Sequence, residues 1–402
     1  MSFEKAFIPY DGYWSTPFCR WQGSFGHLHS MVFAAEVCRR ALPARRMTPS
    51  LFDGIVLGMT VPQKNCFYGV PWMAGMIGAK GLTGPMIGQA CATSAKCVAH
   101  ASEGVELGNN EMVLVMTCDR TSNGPHIYYP NPLGVGGTGD KEDWVWDNFG
   151  YDPYAKNAMI ETAENVAAEA GITKEEQDEV AFLRSTQYQD ALKDSSAFLH
   201  RFMVVPIDVK DPSGRKVTAT VTGDEGVFPT TADGLARLRP VIEGGTVSFG
   251  TQTYPADGNA CLVVTTKEKA KEFSRDPNIG IQIISYAEAR ARRGFMAMSI
   301  VPAAHKALSL VGIGIKDVKA IKTHTPFAVN DVYFCREMGI KFEDMNNFGC
   351  SLVWGHPQGP TGARLIIELI EELVIKGGGY GLFDGCAAGD TAAAIVLKVD
   401  IK

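Results

Sequence analysis

Two cysteines, Cys91 and Cys386, and one histidine, His356, lie in short segments rich in Gly, Pro and other small residues, where a ligand can approach the backbone closely. Cys91 lies where a turn is expected to open into a helix, and the positive end of the helix dipole would lower the pKa of its thiol. His356, in a tight Gly-Pro loop, is suited to proton transfer near neutral pH. The alternatives are a thiol that only packs beneath the turn and a structural loop histidine.

The second pair lies in the last third of the chain. Cys386 is expected on a small-residue turn between two apolar strands, and His324 follows a predicted strand and precedes a helix. A neutral His324 there could donate a hydrogen bond to a developing oxyanion, directly or through water; a polar cap on the helix is the alternative. Together these residues and the Cys91–His356 pair predict a nucleophile, a base and an acid that converge.

Composition and charge restrict the function classes. Hydrophobic residues make up 46% and charged residues 20% of the 402-residue chain, which is typical of a soluble globular protein of two or three domains. A formal net charge of -6 argues against a nucleic-acid binder. No signal peptide and no apolar run of membrane-spanning length is visible, so we expect a cytoplasmic protein with reduced thiols.

Nucleotide and metal sites are not indicated. The Gly134–Gly139 run lacks a preceding strand and the lysine of a phosphate-binding loop. The ten cysteines include no CxxC pair, and the histidines other than His324 and His356 have no metal-ligand spacing with acids or cysteines. The sequence therefore predicts no metal and no tightly bound cofactor.

Predicted strands alternate with predicted helices at both ends of the chain, which indicates an α/β architecture with parallel or mixed sheets covered by helices. In the middle, residues 134–150 are predicted as loop, and a long amphipathic stretch follows from Ala158. The principal predicted elements are helices over residues 31–40, 301–310 and 361–375 and strands over 54–59, 111–118, 260–265, 318–322, 380–383 and 392–399.

These motifs resemble those of the thiolase family, in the family's order, along almost the whole chain. The segment Gln89–Ala95 looks like the nucleophile turn, and Met159–Ala167 is similar to the start of the family's loop domain. Gly355–Pro357 with Thr361–Arg364 resembles the family's histidine block. The resemblance implies an α/β, thiolase-like fold of two similar halves, with mixed five-stranded sheets between helices in αβαβα layers, plus an inserted loop domain.

The implied domains are an N-terminal thiolase half at residues 1–120 with 245–270, an inserted loop domain at 121–244 and a C-terminal half at 271–402. The resemblance also implies a homodimer or larger assembly, with the active site of each chain between its two halves.

The resemblance further implies a role for each candidate residue. Cys91 would be the acylated nucleophile, His356 the base that activates it, and Cys386 the acid that protonates the departing CoA-thioester carbanion. His324 stands where many members have Asn, and a His at this place is similar to the sterol-carrier type of thiolase. His324 would help to hold the thioester oxygen. The backbone amides of Cys91 and Ala388 would form the other oxyanion site. Contacts to substrate or CoA would come from Thr253, Met159, Met296 and Phe327.

Some segments depart from the common family pattern. Phe228 stands where an arginine often contacts the CoA nucleotide, and Cys386–Asp390 replaces a Cys-x-Gly-Gly-Gly run, although Ala388 keeps the needed N–H. This run and the segment His324–Asp331 look more like a divergent group that includes the benzoylsuccinyl-CoA thiolase of anaerobic toluene degradation. Members of that group resemble catalytic subunits partnered by a small zinc-ribbon/OB-fold protein.

The implied function is CoA-dependent thiolytic cleavage of a 3-oxoacyl-CoA through a Cys91 acyl-enzyme, with CoA as co-substrate. The narrower expectation is cleavage of benzoylsuccinyl-CoA to benzoyl-CoA and succinyl-CoA. Two alternatives stay open: a condensing, ketosynthase-like acyltransferase and a non-catalytic acyl-CoA-binding subunit. Cys386 argues against the first, since ketosynthase-type sites generally work without that thiol. Competent groups at all four chemical positions argue against the second.

Overall fold

The computed structural model describes residues 1–122 and 124–402 and has the α/β architecture that the sequence predicts. The strands, in chain order, are β1 Phe7–Ile8, β2 Tyr13–Ser15, β3 Cys19–Arg20, β4 Gly54–Gly58, β5 Met86–Ile87, β6 Met112–Arg120, β7 His126–Tyr129, β8 Asp140–Asp143, β9 Ile207–Lys210, β10 Val217–Val221, β11 Ala256–Thr265, β12 Ile279–Arg290, β13 Val318–His324, β14 Gly379–Ala387 and β15 Thr391–Ile401. The α-helices are α1 Ser30–Ala44, α2 Gly69–Ile77, α3 Thr93–Glu106, α4 Trp146–Gly150, α5 Met159–Ala170, α6 Lys174–Ser196, α7 Ala232–Arg237, α8 Lys267–Phe273, α9 Ile300–Ser309, α10 Ala328–Met338, α11 Ser351–Trp354 and α12 Gly359–Ile375.

Most strands belong to one mixed sheet of 11 strands in the order β13-β14-β15-β12-β1-β11-β6-β4-β5, with β2 and β3 also paired to β11. β13 is parallel to β14, and β4 is parallel to β5 and β6, whereas β12, β14 and β15 pair antiparallel. Phe7 of β1 pairs with both Thr265 and Gln282. The two sheets expected from the sequence are therefore joined into one hydrogen-bonded ladder by a two-residue strand.

Two central helices lie between the two parts of this sheet. Residues Gly359–Leu373 of α12 are all buried, which fits a helix that is covered on every face. α12 contacts β6 and β11 of one part of the sheet and β13 and β14 of the other, and it packs beside α3. The outer helices α1 and α2 contact β6 and β4, and α9 contacts β12 and β15. The result is the predicted αβαβα layering.

A buried ion pair fixes the start of α12, immediately after the loop that carries His356. Arg364 is fully buried and donates to Asp224 at 2.6 Å and to Glu368 at 2.9 Å. Its guanidinium also lies 4.2 Å from the centre of the Trp354 ring. Because an unpaired charge is costly in the interior, removal of either partner would strongly destabilise this part of the core.

Residues 121–244 lie outside the large sheet where the structure describes them. They contain the separate hairpins β7–β8 and β9–β10 and the helices α4, α5, α6 and α7. α6 begins with a capping box in which Thr173 and Glu176 exchange hydrogen bonds. The predicted domain boundaries stay a prediction. Within residues 1–122 and 124–402, every helix is too short or too polar to cross a membrane.

Three predicted elements differ from the structure. Residues 134–150, predicted as loop, contain β8 and α4. α1 continues through Pro43 to Ala44, because the buried Ala41 and Leu42 keep its last turn packed on the core despite the lost N–H. Cys386 lies within β14 rather than on a turn, because β14 pairs with β15 as far as Ala387.

Candidate active site

Local hydrogen bonds fix the turn that carries Cys91. Thr93 Oγ1 donates to the Ala90 carbonyl at 2.7 Å and accepts from the Gln89 N–H at 2.8 Å. Ala90 has φ 43°, in the left-handed region that a residue with a side chain rarely adopts, so the bend is strained. α3 begins at Thr93, which places the partly buried Cys91 where the turn opens into a helix, as predicted.

His356 lies directly against Cys91. Its Nε2 is 3.1 Å from Cys91 Sγ, and its Nδ1 is 2.6 Å from Thr361 Oγ1 in the first turn of α12. The His356 N–H also donates to the Tyr254 carbonyl at 2.9 Å, which ties the loop to the segment before β11. A nucleophile, a base and a group that orients the base are therefore aligned at hydrogen-bond distances.

His324 is the last residue of β13 and is buried beside His356. The two imidazole rings are tilted by 37° with their centres 4.1 Å apart. His324 Nδ1 lies 3.2 Å from the Cys386 carbonyl oxygen, and its Nε2 has no hydrogen-bond partner among the described residues. Because a carbonyl only accepts, a neutral His324 carries its proton on Nδ1 and presents the Nε2 lone pair.

Cys386 approaches the same centre from β14. Its Sγ is 3.9 Å from His324 Nδ1 and accepts a hydrogen bond from Asn330 Nδ2 at 3.2 Å. Burial raises the pKa of the Cys386 thiol well above its ordinary value, and the nearby Cys91 adds to the shift. The resting residue is therefore a protonated thiol, which is the form that an acid needs.

The protonation state of Cys91 differs from the sequence prediction. Burial raises the pKa of Cys91 to about 12, although N–H groups of Ala388 and Cys91 that hydrogen-bond the sulfur oppose this rise. Burial lowers the pKa of His324 to about 4 and that of His356 well below its ordinary value. Desolvation thus outweighs the helix dipole, and the resting pair is a neutral thiol and a neutral imidazole.

Asp119, at the end of β6, is a nearby group that sequence reasoning missed. Its carboxylate accepts from the Thr60 and Val61 N–H groups at 2.9 Å each, from Thr60 Oγ1 at 2.7 Å and from the Gly359 N–H at 2.9 Å. Burial raises the pKa of Asp119 to about 7, and the four donors oppose this rise. Asp119 therefore ties the start of α12, just after the His356 loop, to the segment that follows β4.

Of two cavities in the described structure, the larger borders the centre, and the smaller lies beside the segment that holds the His356 loop. The larger has a volume of about 670 Å³, and its lining includes Cys91, Met59, Met86, Trp144, Phe149, Met159 and Ala388. The smaller, of about 260 Å³, is lined by Phe228, Leu235, Phe249, Gln252, Tyr254 and Val353. The large cavity gives an apolar compartment next to the nucleophile, and the small one is a cleft between the segment around Phe228 and α11.

The other predicted contact residues are placed differently. Thr253 donates its hydroxyl to the Ser351 carbonyl at 2.6 Å. Met296 and Phe327 are buried, at 4% and 7% exposure. These three residues line neither cavity, whereas the predicted contact Met159 lines the larger one. The structure therefore brings Cys91, His324, His356, Cys386, Ala388 and Met159 to one centre and does not bring Thr253, Met296 or Phe327 to either cavity wall.

Three of these side chains could also hold a metal ion. The ligand atoms of Cys91, His324 and His356 all lie within 4.8 Å of one another. One thiolate and two imidazoles suit Zn²⁺, and a metal there would occupy the nucleophile and the base. The expectation that the chain needs no metal stays a prediction.

The site combines a cysteine–histidine pair with a second buried thiol. Residues 13–268 match the N-terminal domain model of thiolase, and residues 278–399 match the C-terminal domain model. The chain therefore belongs to the thiolase family, a family of acyltransferases. An acetyl-CoA acetyltransferase of Syntrophomonas wolfei is 27% identical over 383 residues, which cover 92% of each chain.

Solved structures agree with this assignment. The acetyl-CoA acetyltransferase of Bacillus anthracis matches with a TM-score of 0.90 and 27% identity over 99% of each chain. The human mitochondrial 3-ketoacyl-CoA thiolase in complex with CoA has the same fold, with a TM-score of 0.88 and 23% identity over 99% of each chain. The predicted thiolase-like fold is confirmed.

Proposed function

We propose that this thiolase cleaves a 3-oxoacyl-CoA thiolytically through an acyl-enzyme on Cys91. The observation that carries the proposal is the 3.1 Å contact between His356 Nε2 and Cys91 Sγ. The protonated thiol of Cys386 lies 3.9 Å from His324, whose ring centre is 4.1 Å from that of His356. A neutral thiol–imidazole pair can form a thiolate at the moment of attack, when the base takes the proton. CoA is the co-substrate.

The first half-reaction makes the acyl-enzyme. His356 Nε2 takes the Cys91 proton, the sulfur attacks the 3-keto carbon, and the N–H groups of Cys91 and Ala388 stabilise the alkoxide that forms. Collapse of this intermediate breaks the bond between the α- and β-carbons, and its electron pair leaves with the shorter acyl-CoA as an enolate. The Cys386 thiol then protonates the α-carbon, so the enzyme holds one thiolate and one imidazolium.

The protonated Nε2 of His356 is the direct donor for the enolate oxygen. His324 presents a lone pair on Nε2 when neutral, so its own contact to that oxygen requires a bridging water or a proton. The His356 imidazolium then returns its proton to the Cys386 thiolate, and in the second half-reaction the neutral His356 takes the proton of the incoming CoA thiol. The CoA sulfur attacks the acyl group, and the departing Cys91 sulfur recovers its proton from His356, which restores the resting state.

CoA would reach the centre through the smaller cleft. Phe228 and Phe249 line it and are exposed at 67% and 73%. Tyr254 also lines the cleft, and its carbonyl accepts a hydrogen bond from the His356 N–H. Phe228 cannot form the ion pair that an arginine would give to a CoA phosphate, so stacking against the adenine ring is the contact that this cleft offers. Thr253 and Phe327, which pairs with Gln252, would then act behind the cleft wall, and Met296, which donates its N–H to Thr162 of α5, would act from the side of the larger cavity.

The narrower substrate proposal is benzoylsuccinyl-CoA, cleaved to benzoyl-CoA and succinyl-CoA. The acyl group transferred to Cys91 would be benzoyl, and the aromatic and methionine side chains of the large cavity, including Trp144, Phe149 and Met159, suit such a ring. None of the described residues that line this cavity is Lys or Arg. The extra carboxylate of the succinyl part would therefore be recognised outside it.

The proposed setting is cytoplasmic aromatic degradation, with the chain as a homodimer or larger assembly. A small zinc-ribbon/OB-fold protein is the proposed partner subunit. The proposed domains are those expected from the sequence, with residues 121–244 as the insertion. Co-purification of the chain with its genomic neighbours tests the partner, and the mass of the purified complex tests the assembly.

Turnover with a matched pair of enzymes tests the reaction. Wild type and Cys91→Ala are compared on linear and aromatic 3-oxoacyl-CoAs with CoA, and products are identified by mass. We expect two shorter acyl-CoAs from the wild type and at least about a 10³-fold loss in the variant, since the covalent route is removed. Full turnover by Cys91→Ala would refute the mechanism, and product formation only in the condensing direction would favour the ketosynthase-like alternative.

A further inference from the structure

The Cys386 sulfur has a dedicated partner that the sequence motifs do not assign. Asn330 is fully buried in the first turn of α10, and its Nδ2 donates to Cys386 Sγ at 3.2 Å. This is the side-chain hydrogen bond that the structure gives Asn330, whose Oδ1 has no partner among the described residues. A buried polar atom without a hydrogen-bond partner lowers the stability of the fold, so the unpaired Oδ1 calls for a functional explanation.

A second cluster of hydrogen bonds holds Asn330 in place. The neighbouring Asp331 is buried, and its carboxylate accepts from Thr323 and Thr325 at 2.9 Å each. It also accepts from Arg184 Nε at 2.8 Å. These bonds tie the start of α10 to β13 and to α6, so the Asn330 amide cannot drift away from the sulfur. Thr323 and Thr325 flank His324, so the same cluster holds both the amide and the imidazole near Cys386.

The chemistry of the thiol explains why an amide suits this position. Cys386 alternates between thiol and thiolate, and the thiolate forms where water is excluded, which makes that state expensive. An amide N–H is a donor to the thiolate, and the free Oδ1 can accept from the thiol after a rotation that breaks no other side-chain bond. His324 Nδ1, at 3.9 Å, is a more distant donor that also faces a carbonyl.

We infer that Asn330 is a positioning residue for proton transfer at the substrate α-carbon, because it stabilises the Cys386 thiolate through its side-chain N–H. The inference rests on the proposed function, in which Cys386 is the acid in cleavage and the base in the reverse direction. It predicts an effect on only one of two exchange reactions, the exchange of CoA and the exchange of α-protons. Acyl transfer to Cys91 uses His356 and leaves Cys386 protonated, whereas exchange of the α-protons requires the thiolate.

The test measures these two exchange reactions separately. Wild type, Asn330→Ala and Asn330→Leu are assayed for exchange of labelled CoA into an acyl-CoA and for exchange of acyl-CoA α-protons with deuterium. Asn330→Leu retains the side-chain volume. We expect α-exchange to fall about tenfold or more in both variants, as for a lost hydrogen bond to a charged group, with CoA exchange within about twofold of wild type. The alkaline rise of α-exchange should also move to higher pH.

Asn259→Ala is the matched control, since Asn259 is also buried but neither of its side-chain amide atoms has a hydrogen-bond partner among the described residues. It should leave the ratio of the two exchange rates unchanged. Equal loss of both rates in the Asn330 variants would show a merely structural residue, and unchanged α-exchange would also overturn the inference. If the wild type catalyses neither exchange, the proposed function itself fails, so the two failures are distinguishable.

Discussion

Thr361→Val should slow acylation of Cys91 without changing the shape of the site. The substitution removes the hydroxyl that lies 2.6 Å from His356 Nδ1 and replaces it with a methyl group of similar size. As His356 takes the thiol proton it becomes an imidazolium, and a hydrogen bond to a charged group contributes about 1.5–3 kcal/mol. The acylation rate should therefore fall about 10- to 150-fold.

Rapid-quench measurement of the acyl-enzyme burst is the assay, because it reports the step in which His356 acts as base. The control is Thr117→Val, which removes a buried hydroxyl that donates to the Ala260 carbonyl at 2.7 Å. Thr117→Val should lose stability but acylate at a rate near that of wild type. If Thr361→Val acylates as fast as Thr117→Val, the hydroxyl does not orient the base.

The remaining predictions concern the second thiol, the resting protonation states and metal dependence. Cys386→Ala should reduce α-proton exchange at least about 10²-fold, measured by deuterium incorporation, while labelled-CoA exchange persists; parallel loss of both would contradict its role as acid. Because burial raises the pKa of Cys91 to about 12, its alkylation by iodoacetamide should keep accelerating from pH 7 to pH 10, and a plateau below pH 8 would show a preformed thiolate. Burial raises the pKa of Asp384 well above its ordinary value, so the folded state loses stability as pH rises from the pKa of Asp384 in the unfolded chain towards its pKa in the folded one. In urea unfolding, Asp384→Asn should therefore increase the free energy of unfolding more at pH 8 than at pH 5. Equal increases at the two pH values would contradict this. EDTA should leave turnover unchanged and added Zn²⁺ should inhibit it, whereas loss of activity on chelation would show a required metal.

Much of the site could be predicted from local sequence. Cys91 and His356 stand in segments whose Gly, Pro and small residues allow close approach, and His324 lies at the end of a strand that extends two residues beyond the predicted one. Each of these features depends on a few neighbouring residues, so one sequence is enough to predict it. Whether Cys91, His324, His356 and Cys386 meet depends on the order of strands in the sheet, which residue spacing does not reveal. The prediction that they share one active site came from the resemblance to a family.

The remainder depends on contacts between distant segments. Burial of Cys91 is a tertiary property, so the helix position alone gave the wrong direction for its pKa. Asn330 contacts a sulfur 56 residues away, and Asp119 contacts Gly359 across 240 residues. Neither pair has a sequence signature, because each hydrogen bond joins elements that are far apart in the chain, α10 with β14 and β6 with α12.

Peptide mapping of a trapped intermediate tests the central claim most directly. Cys386→Ala is mixed with an aromatic and a linear acyl-CoA, quenched in acid, digested and analysed by mass spectrometry. Cys386→Ala should carry one acyl group per chain, on the peptide that contains Cys91, and Cys91→Ala should carry none. An adduct on any of the other cysteines, or turnover by the wild type with no adduct on Cys91, would contradict the account.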